Sequence, residues 1–197
     1  MFPYARHPST PSRGRGFTLV ELLVTVAVAA IMLALAAPML RDFVSSRAVA
    51  SQADDLVAAL RFARGEAMKR SNPVSVCRLD SAAAEACSTS TGKWQYWMVF
   101  VERGNRGVYD PTNVLLRVEN AGSSAVDYTK TQDISTYVSF QSTGIALWAN
   151  QQYPQPLLWT FDPIMSRGSS SYLRAVRFVC LNSQGRVAVV DGNSQCS

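Results

Sequence analysis

Residues 13–30 read RGRGFTLVELLVTVAVAA: two arginines set between glycines, then an abrupt apolar run that holds a single carboxylate, Glu21. From Phe17 to Leu40 there are 24 residues, and Glu21 is the only charged one. At about 1.5 Å of rise per residue such a helix reaches roughly 36 Å, enough to cross a hydrocarbon layer about 30 Å thick. A secretory signal has a shorter apolar stretch followed by a small-residue cleavage site; here the helical pattern continues, so the segment reads as a retained anchor. Arg6, Arg13 and Arg15 precede it. The positive-inside bias then keeps residues 1–16 in the cytoplasm and sends the chain after Leu40 across the membrane.

The anchor also explains the composition. Hydrophobic residues make up 48% of the 197 positions and charged residues only 17%, a low charge content for a soluble domain. The length suits one ordinary domain with an appendage and leaves no room for a second full core.

Beyond Leu40 the helical pattern persists. Val49, Ala53, Leu56, Leu60, Ala63 and Ala67 recur at spacings of four, three, four, three and four, which aligns one apolar stripe on a helix. Asp54, Asp55, Arg61, Arg64 and Arg70 fall off that stripe. Lys69 and Arg70 suit the negative end of the helix dipole, and Asn72-Pro73 stops the helix because the residue before a proline avoids the α region. A single helix over residues 17–71, roughly 80 Å long, is predicted. Pro38 lies inside it, removing one backbone hydrogen bond and clashing with the preceding turn. A kink or local melting is expected there, as an ordinary membrane-helix proline or as a functional hinge.

The partner of the stripe must come later in the chain. Residues 74–79, 94–101, 114–118, 137–140, 175–181 and 186–190 are short, rich in β-branched and aromatic residues, and bounded by Gly, Pro, Asn or Ser clusters, as strands are. Asn182-Ser183-Gln184-Gly185 reads as a hairpin turn joining the last two. Residues 119–172, with YPQP at 153–156, read as long loops or irregular short strands. The expected fold class is α+β, a long amino-terminal helix packed on a mostly antiparallel sheet. The divisions are residues 1–16, a basic leader; 17–40, the membrane half of the helix; 41–72, its second half; and 73–197, a β-rich globular domain.

Four cysteines fit an oxidising compartment. Cys77 and Cys87 are ten positions apart and Cys180 and Cys196 sixteen; none has the close spacing of a zinc site. Of the three possible connectivities, Cys77–Cys87 with Cys180–Cys196 closes one local loop each and is the expected one. On the entropic account each bond adds about 3 kcal/mol.

The junction RGRG then FTLVELLVTVAVAA resembles the prepilin cleavage pattern of type IV pilins and type II secretion pseudopilins. LRFARGEAMKRSNPVSVC at 60–77 and the aromatic strand WQYWMVFV followed by VLLR resemble the GspH/FimT group of minor pilins and pseudopilins. The resemblance covers the first 120 residues well and the last 25 moderately. It implies a type IV pilin-like fold, cleavage after Gly16 by a prepilin peptidase, methylation of the Phe17 amine, and assembly with other minor and major pilins from the inner membrane. A single pass with the carboxy-terminal domain in the periplasm follows, and a place in a pilus or pseudopilus after assembly. In that family the acid at the position of Glu21 neutralises the amino-terminal charge of a neighbouring subunit. Physics agrees, since an unpaired acid in hydrocarbon costs about 3 kcal/mol and a partner ammonium recovers much of it.

Catalysis is not expected. The only histidine, His7, lies in the leader, which removes Cys-His, Ser-His and His-metal sites from the processed chain. No cofactor or metal is implied: ERGNRGVYD at 102–110 has a calcium loop's central glycine but only Glu102 and Asp110 as carboxylates, and a Gly-rich turn explains it. The leading function is a minor pilin that enters or primes a pilus fibre. The alternatives are a type II secretion pseudopilin and a minor pilin that binds DNA in natural transformation. Some FimT-type pilins are thought to bind DNA through a carboxy-terminal Gly-Arg-x-Arg pattern; here Gly185-Arg186-Val187-Ala188 keeps only the first arginine. Arg174, Arg177 and Arg186 are the candidate contacts. Removing the three leader arginines lowers the formal charge from +5 to +2, far from a nucleic-acid footprint.

Overall fold

The computed structural model describes residues 17–129, 135–149, 156–165, 167–168, 171–194 and 196. It begins with α1 (Leu19–Arg70), followed by β1 (Val74–Leu79), β2 (Tyr96–Val101), β3 (Val114–Asn120), β4 (Val126–Thr129), β5 (Tyr137–Phe140), β6 (Ala146–Trp148) and β7 (Leu157–Pro163). A one-turn helix α2 (Tyr172–Ala175) precedes β8 (Arg177–Leu181) and β9 (Val187–Asp191). The chain divides into two compact units between Met39 and Leu40.

In the first unit the helix starts on a side-chain cap. Thr18 Oγ1 accepts the Glu21 backbone N–H at 3.2 Å, so Thr18-x-x-Glu21 has the spacing of a capping box, with the acid in the first turn where the dipole favours it. Every residue from Phe17 to Met39 is exposed. At the other end, in the second unit, α1 stops at Arg70. Ser71 takes a left-handed conformation at φ 54°, the Asn72 side-chain amide donates to the Arg70 carbonyl at 2.9 Å, and Pro73 follows.

The single expected sheet is two antiparallel sheets. One has the order β3-β2-β1-β5-β6 and the other β4-β7-β8-β9. All six stripe residues, Val49, Ala53, Leu56, Leu60, Ala63 and Ala67, are fully buried. They join Val74, Val76, Trp97 and Val99 of the first sheet and Trp159, Phe161 and Val179 of the second in one core. The alanines let the sheets come close to the helix, and the large residues opposite fill the space. Trp94 meets Trp159 edge-to-face with ring centroids 5.4 Å apart, an added contact between the first sheet's flank and the second sheet. Ser45 Oγ ties the helix to the second sheet by polar contacts, donating to Ala125 O and accepting from Ile164 N, both at 2.7 Å.

Residues 119–172 hold more order than expected, namely β4, β6 and β7. Leu157, Trp159 and Phe161 of β7 are buried while Leu158 and Thr160 between them are half-buried. The period of two was present in LLWTF, between YPQP and Pro163. At the other end of this region, Tyr172–Ala175 winds into α2, so the strand expected from 175 begins at Arg177.

The strand β1 is buried at all six positions because both faces of its sheet are covered. Cys77, Leu79, Met98 and Phe100 form a second core on the face opposite the helix. The segment after β1 closes over that face and is held by the Cys77–Cys87 disulfide, with Cα atoms 5.6 Å apart. Buried Arg78 serves it too. Its Nη2 donates to Asp80 Oδ1 at 2.6 Å, to Ser90 O at 2.7 Å and to the Ser88 hydroxyl, and its Nε donates to Ser90 O at 3.2 Å. A charge so deeply placed is tolerated because its donors are satisfied.

Candidate functional site

The assembly residues expected from sequence lie in the first unit. Gly16 falls outside the described residues. Phe17 is 82% exposed, and Glu21 is exposed in the first turn of α1. The apolar side chains that follow, from Leu22 through Leu35 to Met39, are exposed, with no buried position among them in the described residues. An apolar helix left bare over so many turns needs lipid or other subunits against it. The α1 helix is continuous through Pro38.

The second disulfide joins Cys180 of β8 to Cys196, with Cα atoms 5.7 Å apart, and ties the carboxy-terminal segment to the second sheet. Glu102 and Asp110, weighed in sequence as metal ligands, are engaged elsewhere. Glu102 is buried and accepts from Ser75 Oγ at 2.5 Å, Gly107 N at 2.9 Å and Ser139 Oγ at 3.1 Å, which fastens the β2–β3 connection to β1 and β5. Asp110 accepts from the Thr112 N–H at 2.8 Å. These contacts hold its carboxyl below the usual range, the Thr112 hydroxyl most and the Thr112 N–H next.

The three carboxy-terminal arginines do not form one group. Arg177 Nη1 turns back to donate to Val176 O at 2.9 Å and to Arg174 O, closing the end of α2. Arg177 pairs with Asp191 and Leu181 with Val187, so Arg186 lies past the other end of the β8–β9 ladder, about 13 Å of strand away. The structure instead places Arg186 beside α1.

A groove of about 500 Å³ is lined by Arg61, Arg64, Gly65 and Met68 of α1, by Gly185 and Arg186 of the β8–β9 turn and by Val187 of β9. Arg64 fixes its geometry. Its Nε donates to Gly144 O and its Nη2 to Gln184 O, both at 3.1 Å. These acceptors belong to two hairpin turns, one per sheet, that are themselves joined by Ala146 N donating to Ser183 O at 2.9 Å. Gly185, at φ +75°, is required: a Cβ there would lie 2.2 Å from Gly144 O and 2.9 Å from Arg64 Nε. In the sequence, Arg61 and Arg64 stand out only as off-stripe charges. Their i, i+3 spacing put them on one face, but nothing local signalled a partner turn more than 100 residues away.

The family model described as Type II transport protein GspH matches residues 52–195. The chain belongs to this family, that of GspH/FimT-type minor pilins and pseudopilins. A prokaryotic N-terminal methylation motif matches residues 11–37, which implies processing by a prepilin peptidase and pilin partners. The fimbrial protein EcpC of Eikenella corrodens is 32% identical over 98 residues, covering 50% of this chain and 61% of that protein. The crystal structure of the type IV minor pilin FimU of Pseudomonas aeruginosa has the same fold, with a TM-score of 0.51 at 16% identity over 77% of this chain and 95% of that one. GspH-family chains are structural pilin-like proteins rather than known enzymes.

Proposed function

We propose that this chain is an inner-membrane minor pilin, cut after Gly16 and methylated at Phe17, that enters or primes a type IV pilus fibre. The observation that carries the proposal is the bare apolar helix with one carboxylate, Glu21, near its start. In the membrane its side chains meet lipid; in the fibre they meet the same segment of neighbouring subunits. Glu21 pairs there with the ammonium created at Phe17 of a neighbour, and Pro38, which lacks one helical hydrogen-bond donor, is where the helix bends in passing from one setting to the other. The domain after Leu40 lies in the periplasm, where both disulfides form. Mass spectrometry of the membrane-extracted chain tests this directly: the first residue should be N-methylated Phe17, and intact Met1 in cells with an active prepilin peptidase defeats the processing.

A second reading, a pseudopilin of type II secretion, is favoured by the description of the matching family. Deleting the protein and scoring twitching, secretion and transformation side by side separates the readings. Loss of secretion alone selects the pseudopilin, and loss of transformation with twitching intact selects DNA capture through Arg174, Arg177 and Arg186.

A further inference from the structure

We propose that the groove between α1 and the β8–β9 turn receives an acidic side chain, a glutamate or aspartate, from a neighbouring pilin-like subunit. The inference rests on the fibre reading above and names one contact within it.

Three observations point to an anionic protein group. Arg61 and Arg64 stand one turn apart on α1, and Arg186 faces them from the turn. Arg64 is pinned by two carbonyls, whereas the side chains of Arg61 and Arg186 make no hydrogen bond or ion pair among the described residues. The nearest acid along the helix, Glu66, is taken by Lys69 and Arg70, and among the described residues no carboxylate lines the groove. The guanidinium groups of Arg61 and Arg186 can each meet a carboxylate with paired N–H donors.

Gly65 is the second observation. It sits inside α1, where glycine costs about 1 kcal/mol relative to alanine, yet a Cβ at this position would meet nothing within 4 Å. No contact among the described residues requires glycine here, in contrast to Gly185. The missing side chain leaves the groove floor open to an approaching group. Third, the remaining walls include Met68, 49% exposed, and Val187. An apolar wall beside two cations suits a carboxylate on an aliphatic stem. A polyanion would draw on a track of cations, and the processed chain carries a formal charge of only +2.

The test uses the full chain in its own cells. Arg61→Lys and Arg186→Lys each keep the charge and supply an amine. A zero-length carbodiimide then joins that amine to a touching carboxylate as an amide, and the carbodiimide takes up the lost water as a urea. Peptide mass spectrometry of the fibre fraction should find position 61 or 186 linked to a glutamate or aspartate of another pilin-like protein, with no such adduct in wild type. Arg61→Glu combined with Arg186→Glu, and separately Gly65→Leu, should lower the amount in sheared fibres at least tenfold while the processed membrane pool stays constant. Unchanged incorporation of both variants, without an adduct, overturns the groove and leaves the fibre reading standing. Absence of the wild-type chain from fibres overturns the fibre reading and the groove with it. Salt-sensitive binding of a 30-base-pair duplex by the detergent-solubilised chain, lost on double charge reversal and with no carboxylate adduct, assigns the groove to nucleic acid and overturns the proposal.

Discussion

One helix serves two different surroundings. Up to Met39 its side chains are all exposed and, but for Glu21 and Thr25, apolar; from Ser45 onward a narrow stripe is buried and the remaining faces carry Asp54, Asp55, Arg61 and Arg70. The first part is apolar on every face, the pattern of a segment whose cover comes from outside the chain, while the second has the one-sided pattern of a helix covered by its own sheets. A substitution in one part should therefore be read in assembly and in the other part in folding, and the comparison fails wherever a residue is read in both.

The largest separation is expected at Glu21. Its backbone N–H is capped by Thr18, so two roles compete, helix start and charge partner. Glu21→Gln keeps a residue suited to the third position of a capping box but removes the charge. Incorporation into sheared fibres, scored by immunoblot, should fall to background with the thermal unfolding of the domain after Leu40 unchanged. Wild-type incorporation would reduce Glu21 to a capping residue.

Next comes a paired truncation. Leu60→Ala removes a fully buried side chain and should cost about 2–5 kcal/mol of domain stability in denaturant titrations. Leu23→Ala, at a residue 61% exposed, should leave that stability within about 0.5 kcal/mol of wild type. A smaller loss, about 2–3 kcal/mol, is expected for Arg78→Ala, which strips charged donors from the buried Ser88 hydroxyl and the part-buried Ser90 carbonyl. Its partner Asp80 adds a pH signature. The Ser88 hydroxyl first and the Arg78 guanidinium second hold that carboxyl below its usual range. Its contribution is therefore present above the unfolded pKa of about 3.9 and is lost as the pH falls through the lower folded value. Arg78→Ala should accordingly narrow the acid-induced loss of stability.

How much of this was legible in the sequence follows the same division. The apolar run and the stripe could be read because each is a local pattern, and all six stripe residues are buried as their spacing requires. What escaped was set by contacts between distant segments. The sequence showed Glu102 only as part of a Gly-rich turn, because its acceptance from Ser75 and Ser139 depends on strand pairing. Nothing near Arg186 in sequence marks it as a neighbour of Arg61, whereas the proximity of Arg174 and Arg177 in sequence was misleading, since the β8–β9 ladder separates them from it. The second sheet was missed because β4, at its edge, has only four residues, and β6, at the edge of the first sheet, has three, too few for a period of two to register.

The smallest expected effect has the opposite sign, and it tests whether the second half of the helix is governed by its own fold alone. Gly65→Ala adds a methyl group where nothing lies within 4 Å and removes the backbone freedom that glycine brings to the unfolded chain. The domain should gain about 1 kcal/mol in stability. Gly185→Ala, which drives a Cβ to 2.2 Å from Gly144 O at a positive φ, should lose stability in the same denaturant titration. If folding were all that mattered on this face, Gly65→Ala would improve the protein in every assay. A gain in stability accompanied by poorer incorporation would instead show that the open floor beside Arg61 and Arg186 is used by a neighbour, and that the groove face of the second half, like the whole first half, is completed by another chain.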